Sequence, residues 1–212
     1  MLILNCIFTD NRALRLDDYF FDTENTHFII NHETRMNTCL KDVVKNATET
    51  ADEFIPNVMV IMAGVFDLAI YNESSAELSC NFSSTSNIEN LFIESVRECI
   101  DMLYQKFPEA EIVVCPLIGC SFQIWNKAKI PHFSQLHFND LIVNINKRIR
   151  VIHLERNGRY LDTAKSVHKT CKRMWTAHYS YLTNGLNFND RLCNNMYKEM
   201  LKYLARENIK HD

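Results

Sequence analysis

The side chains with the greatest chemical capacity in this sequence sit just beyond apolar runs. Thr9-Asp10-Asn11-Arg12 follows Ile3–Phe8, and Gly64-Val65-Phe66-Asp67 follows Val58–Ala63. Cys120 comes shortly after Glu111–Pro116, and Asn184-Gly185-Leu186-Asn187 stands just before a helical pattern that opens at Asp190. Nucleophilic catalysis needs a hydroxyl or thiol beside a base. Thr9 or Cys120 paired with His178 would supply one, although a strand-end hydroxyl, a packed thiol and a loop histidine are the plainer and preferred reading. Asn11, Asn184 and Asn187 offer different chemistry. Their amides neither attack nor carry protons near neutral pH, but each presents two donors and an acceptor to a polar ligand such as a sugar or an ester.

A second group of residues suits a different partner. Lys165, Lys169, Lys172 and Arg173 lie close to Trp175, Tyr179 and Tyr181. Cations interleaved with aromatics can contact phosphates and stack on bases. The chain as a whole carries a formal charge of −3, with 23 Lys and Arg against 26 Asp and Glu. That balance favours an ordinary solvated surface over a nucleic-acid interface.

Composition removes several classes. The chain has only four glycines, where average usage of about 7% would give roughly fifteen. No glycine-rich phosphate loop can be written, and no cofactor is expected. The eight cysteines are dispersed, without a Cys-x-x-Cys pair, so no metal site is expected. Unpaired thiols and an N-terminus lacking the features of a signal peptide fit an intracellular protein, and no apolar run is long enough to span a bilayer.

The elements that must position these residues alternate. Short apolar runs at 2–8, 27–31, 58–63 and 111–116 read as buried strands. Helical patterns cover 11–21, 34–50, 86–107, a long stretch around 138–152 and a last one at 190–205. Residues 71–87 read as a Ser- and Asn-rich loop, and 165–181 as loop-like. Trp125 and Trp175 fit pocket lids or, more commonly, caps on a core edge. Strands of continuous apolar character alternating with helices predict one α/β domain over 1–212, with a mostly parallel sheet covered on both faces. In such sheets ligands bind beyond the carboxyl ends of the strands, where the asparagine-bearing segments fall.

Order and spacing of those segments resemble the SGNH (GDSL-like) hydrolase family, over nearly the whole chain. The family places Gly-Asp-Ser after strand one, Gly-x-Asn-Asp after strand three and Asp-x-x-His before the last helix. The Phe107–Gly119 stretch with the helix downstream is similar to SGNH domains of invertebrate and virus-like mobile elements. The resemblance implies a three-layer α/β/α sandwich of flavodoxin-like type with strand order 2-1-3-4-5, Arg159–Leu161 being a poor candidate for the fifth strand. It also implies a lost catalytic set. Asn11 stands at the serine position, Asn187 at the histidine, Asn184 at the orienting acid and Phe66 at the oxyanion-hole asparagine. Asn31-His32-Glu33-Thr34 occupies the region of the second-block glycine. Asp10, Gly64, Asp67 and Gly185 remain, and are read as holding loop amides and tight backbone turns. The expectation is a degenerate hydrolase-like protein that works by binding a small polar ligand or a protein. The alternatives are a weakly active esterase with relocated groups, and an RNA- or protein-binding module using 165–181.

Overall fold

The computed structural model describes residues 3–23, 26–50, 55–81, 85–127, 132–165, 167–171, 174–177 and 179–205. Its centre is a four-stranded parallel sheet built from β1 (Ile3–Thr9), β2 (Thr26–His32), β3 (Val58–Met62) and β6 (Glu111–Val114). The strand order is β2-β1-β3-β6. All five residues of β3 are buried, as a central parallel strand covered on both faces requires.

Alternate residues of these strands feed two cores. Cys6, Phe8, Met59, Ile61, Ile112 and Val114 pack against α1 (Leu40–Thr50), α2 (Thr85–Lys106) and α4 (His132–Glu155). Ile7, Val58, Val60 and Val113 pack on the opposite face against α5 (Asp190–Ala205) and the segments around Leu16 and Leu161. This is a three-layer α/β/α sandwich. No helix among the described residues is long and apolar enough to cross a membrane.

Several segments differ from the sequence expectation. Residues 11–21 form two short 3-10 turns, Asn11–Ala13 and Leu16–Asp18, instead of a helix. The Asp10 side chain accepts from Arg12 N and starts the first turn. The helix expected over 34–50 begins only at Leu40, because Asn37 takes a left-handed conformation with φ 60°. The 71–87 loop is largely an antiparallel hairpin, β4 (Ala69–Asn72) with β5 (Glu77–Cys80). Asn72 Oδ1 accepts from Ser74 N and Ser75 N in its turn, an Asx device that polar composition alone does not distinguish from an open loop. Trp125 lies on the short helix α3 (Phe122–Asn126), meets Tyr71 edge-on at 5.9 Å and donates to Ala76 O at 3.2 Å. It caps a core edge. The loop-like 165–181 contains another hairpin, β7 (His168–Cys171) with β8 (Met174–Ala177).

Arg159–Leu161 forms no fifth strand. The edge of β6 is met instead by side chains of α4. His153 Nε2 donates to Val114 O at 2.9 Å, and just past the strand the Asn146 amide bonds both N and O of Leu117, at 2.6 and 2.9 Å. Arg159 grips Glu111 at the strand's start with two bonds, at 3.1 and 2.7 Å. At the opposite edge, Asp22 and Thr23 cover the first half of β2 through Phe28 N and Thr26. Its second half, toward His32, has no strand partner on that side among the described residues.

Candidate functional site

The loops leaving β1, β3 and β6 and the loop before α5 meet at the carboxyl end of the sheet. Asp10 N donates to Met62 O, the Arg12 guanidinium reaches Ile118 O at 2.6 Å, and Phe188 N donates to Arg12 O at 2.9 Å. Asp10 and Arg12 are buried, 0% and 3% exposed, and form an ion pair in which Arg12 Nε lies 3.2 and 3.3 Å from the two carboxylate oxygens. The guanidinium also sits over the Phe188 ring, 5.3 Å from its centroid. A charge pair this dry survives only because hydrogen bonds satisfy both partners.

Asn11 opens the first 3-10 turn. Its amide nitrogen donates to Met36 Sδ at 2.8 Å, while its Oδ1 is buried with no hydrogen-bond partner among the described residues. Asn184 Oδ1 accepts from Leu186 N at 3.3 Å and Asn187 N at 3.0 Å, so its acceptor serves its own turn. Gly185 in that turn has φ 84°, and Gly64 after β3 has φ 116°. Phe66 is buried, where it is part of the core. Asn187 is half-buried.

Asp67 holds the start of α1: its Oδ2 accepts from Leu40 N at 2.8 Å. Its carboxyl is pushed up to about 6, chiefly by burial; the Leu40 N–H opposes the rise and the Asp42 and Asp10 charges add to it. An unfolded Asp titrates near about 4. The native chain therefore holds a proton that the unfolded chain has released, and stability falls as pH rises through the window from about 4 to 6. Asp67→Asn keeps an acceptor for Leu40 N. It is expected to exceed wild type by about 1–3 kcal/mol at pH 7.5 and to match it at pH 4. Urea unfolding at both pH values tests this; the same difference at both would reject it.

Of the residues that could rescue catalysis, Thr9 and Cys120 lie among the described residues. Cys120 is fully buried in the core, and burial pushes its thiol up to about 12, which leaves it inert. His178 lies outside the described residues, as do Lys172 and Arg173. Lys165 is exposed and Lys169 belongs to β7.

Thr9 has a partner that sequence reasoning missed. Its Oγ1 lies 2.8 Å from His32 Nδ1, and His32 Nε2 lies 3.1 Å from Asp17 Oδ2. A hydroxyl, an imidazole and a carboxylate thus stand in relay order. The signal was strand pairing: Thr9 and His32 are cross-strand neighbours at the ends of β1 and β2, and Asp17 comes from the second 3-10 turn. Thr9 is 0% exposed, however, and its hydroxyl also donates to Asp10 O at 3.0 Å. With neutral His32, the hydroxyl can instead point to Nδ1 while Nε2–H donates to Asp17. With charged His32, Nδ1–H donates to Thr9, whose proton turns to Asp10 O. The tie among the three side chains holds either way. At the ends of β3 and β6, Arg12, Met62, Ile118, Thr163, Phe188 and Met196 line a cavity with room for about one water. The Thr163 hydroxyl is buried beside the Cys115 thiol.

Known structures share this arrangement of strands and helices. A GDSL-like lipase from Bacteroides thetaiotaomicron VPI-5482 superposes with a TM-score of 0.64 at 10% identity, covering 96% of this chain and 88% of that one. The acetyl xylan esterase AlAXEase gives 0.64 at 12% identity, over 95% and 100%. This is the GDSL-like hydrolase fold. A lipase/acylhydrolase from Enterococcus faecalis gives 0.61 at 11% identity over 97% of each chain. No protein-family model and no curated protein matches the sequence. At the carboxyl end of this sheet, the loops after β1 and β3 and the loop before α5 carry Asn11, Phe66, Asn184 and Asn187.

Proposed function

We propose that this chain is a catalytically degenerate GDSL-like protein that works by binding a small polar ligand at the carboxyl end of its sheet. The observation that carries this reading is what the site amides do: Asn11 bonds a thioether and Asn184 caps its own turn. Neither can take up and return a proton. In serine proteases, turning the orienting Asp alone into Asn lowers turnover by about 10⁴. Here the nucleophile and base positions are changed as well, so hydrolysis by the mapped set is lost. The Asn187 amide and the unpartnered Asn11 Oδ1 leave hydrogen-bonding capacity for a neutral polar group such as a sugar hydroxyl or an ester.

One observation favours a second reading, hydrolysis by relocated groups: the Thr9–His32–Asp17 relay. Burial of Thr9 weighs against it, because attack on an ester requires the hydroxyl to meet substrate. Hydrolysis of p-nitrophenyl acetate separates the two, with Asn11→Ala, Thr9→Val, His32→Ala and His178→Ala run beside wild type. The expected result is no turnover above buffer for any of them. Turnover abolished by both Thr9→Val and His32→Ala would replace the binding reading with the relocated one, and loss with His178→Ala alone would place the base there.

A further inference from the structure

The segment between β2 and α1 crosses the Asn11 side of the site, and its attachments are uneven. At its start it is tied firmly. Glu33 N donates to Thr9 O at 2.9 Å, and His32 is held between Thr9 and Asp17. At its end, Cys39 N donates to Asp42 and Leu40 N to Asp67. Between these anchors, Thr34 and Arg35 are exposed. Met36 lies over Asn11 with its sulfur 2.8 Å from Nδ2 and packs against the α1/α2/α4 core. Next to it, Asn37 makes two bonds to one residue of the β4–β5 hairpin. Its Nδ2 donates to Tyr71 O at 2.8 Å and its Oδ1 accepts from Tyr71 N at 2.7 Å.

The geometry points to residues 33–39 as a strap that shuts the Asn11 side of the cleft with the Met36 side chain, latched by Asn37 to Tyr71 and released at that latch. This inference adds a control to the binding reading and rests on the Asn11 face being the ligand face. Three features separate a latch from ordinary loop packing. Both bonds of Asn37 reach a single hairpin residue, so they form and break together. Asn37 holds a left-handed φ of 60°, which asparagine tolerates better than other residues with a Cβ. Asn11 Oδ1 is buried beneath the strap with no hydrogen-bond partner among the described residues, a polar atom that a ligand or water would satisfy once Met36 withdraws. A thioether suits a removable plug, being flexible and without strong hydrogen bonds of its own. If the closed state dominates, a ligand's apparent affinity drops by the fraction of open molecules.

Met36 reports strap opening without any ligand, so failure of the strap is distinguishable from failure of the binding reading. Purified protein is treated with dilute hydrogen peroxide, which converts a thioether to its sulfoxide with release of water, and each methionine is followed by peptide mass spectrometry. Met59 and Met200, both 0% exposed, are the buried references, and Met102, 42% exposed, is the open one. Asn37→Gly permits the left-handed backbone and removes both latch bonds. It is expected to raise the Met36 rate about fivefold or more, toward that of Met102, with Met59 and Met200 unchanged. Asn37→Asp keeps the acceptor for Tyr71 N and loses the donor, and is expected to fall between. Hydrogen exchange at the Tyr71 amide reads the same latch directly and should quicken in the same order. An unchanged Met36 rate in both variants overturns the proposal. So does a rise shared by Met59, which would mean that the Asn37 contact holds the whole domain and not a strap.

Discussion

Arg12→Met lowers the unfolding free energy by about 3–5 kcal/mol, the usual penalty for stranding one member of a buried ion pair. Asp10 has no exposure of its own and would keep only the Arg12 backbone N–H as a strong donor. The substitution also removes the bond to Ile118 O and the stacking over Phe188, which connect the first 3-10 turn to the β6 loop and to the loop before α5. The effect should appear as a lower urea midpoint with an unchanged slope, since the native surface is little altered. The double variant Asp10→Asn with Arg12→Met removes the stranded charge. It is expected to recover a substantial part of the loss. A single-variant loss below about 1 kcal/mol would mean that water reaches the pair and that its burial does not matter.

Gly185→Val is the second large effect, at about 2–5 kcal/mol. The backbone there has φ 84°, a region that costs an L-residue roughly 1–2 kcal/mol. A Cβ would also lie 2.8 Å from Ile124 Cβ and 2.9 Å from Ser121 O. The second contact is with backbone, and Ser121 N donates to Gly185 O at 2.7 Å across the same junction. The two loops must therefore separate, adding the roughly 1–3 kcal/mol typical of overpacking. Gly158 supplies the control. Its nearest approach is 3.3 Å, to His153 O, and its φ is not left-handed, so Gly158→Ala is expected to cost less than about 1 kcal/mol. Equal losses at the two positions would show that the 185 junction yields easily.

The parts of the fold legible in the sequence were those whose pattern has one physical solution. Val58–Met62 reads as a buried strand because five apolar residues in a row fit a sheet covered on both faces. The last helix shows in Leu192, Met196, Met200 and Leu204, which all enter one core. Residues 11–21 misled because Ala13, Leu16 and Phe20 have helical spacing and are indeed buried, yet Asp10 and Arg12 divert the backbone into short turns. The Ala69–Cys80 hairpin was hidden by its polar turn, and the fifth strand was a family expectation that side chains of α4 have replaced. At the site, the four loops could be placed from their order along the chain. The Thr9–His32–Asp17 tie and the seat of Met36 on Asn11 could not, because both depend on strand register and on how residues 33–39 cross the sheet end.

The side chains that meet β6 bear on assembly. With His153 bonded to the Val114 carbonyl and Asn146 to Leu117, side chains occupy that side of the central sheet, and the stretch of β2 near Ile30 and His32 is its edge without a strand partner among the described residues. A sheet with one open edge can pair once. Two such edges that meet leave none between them, so pairing through the central sheet ends at two chains and does not propagate along that sheet.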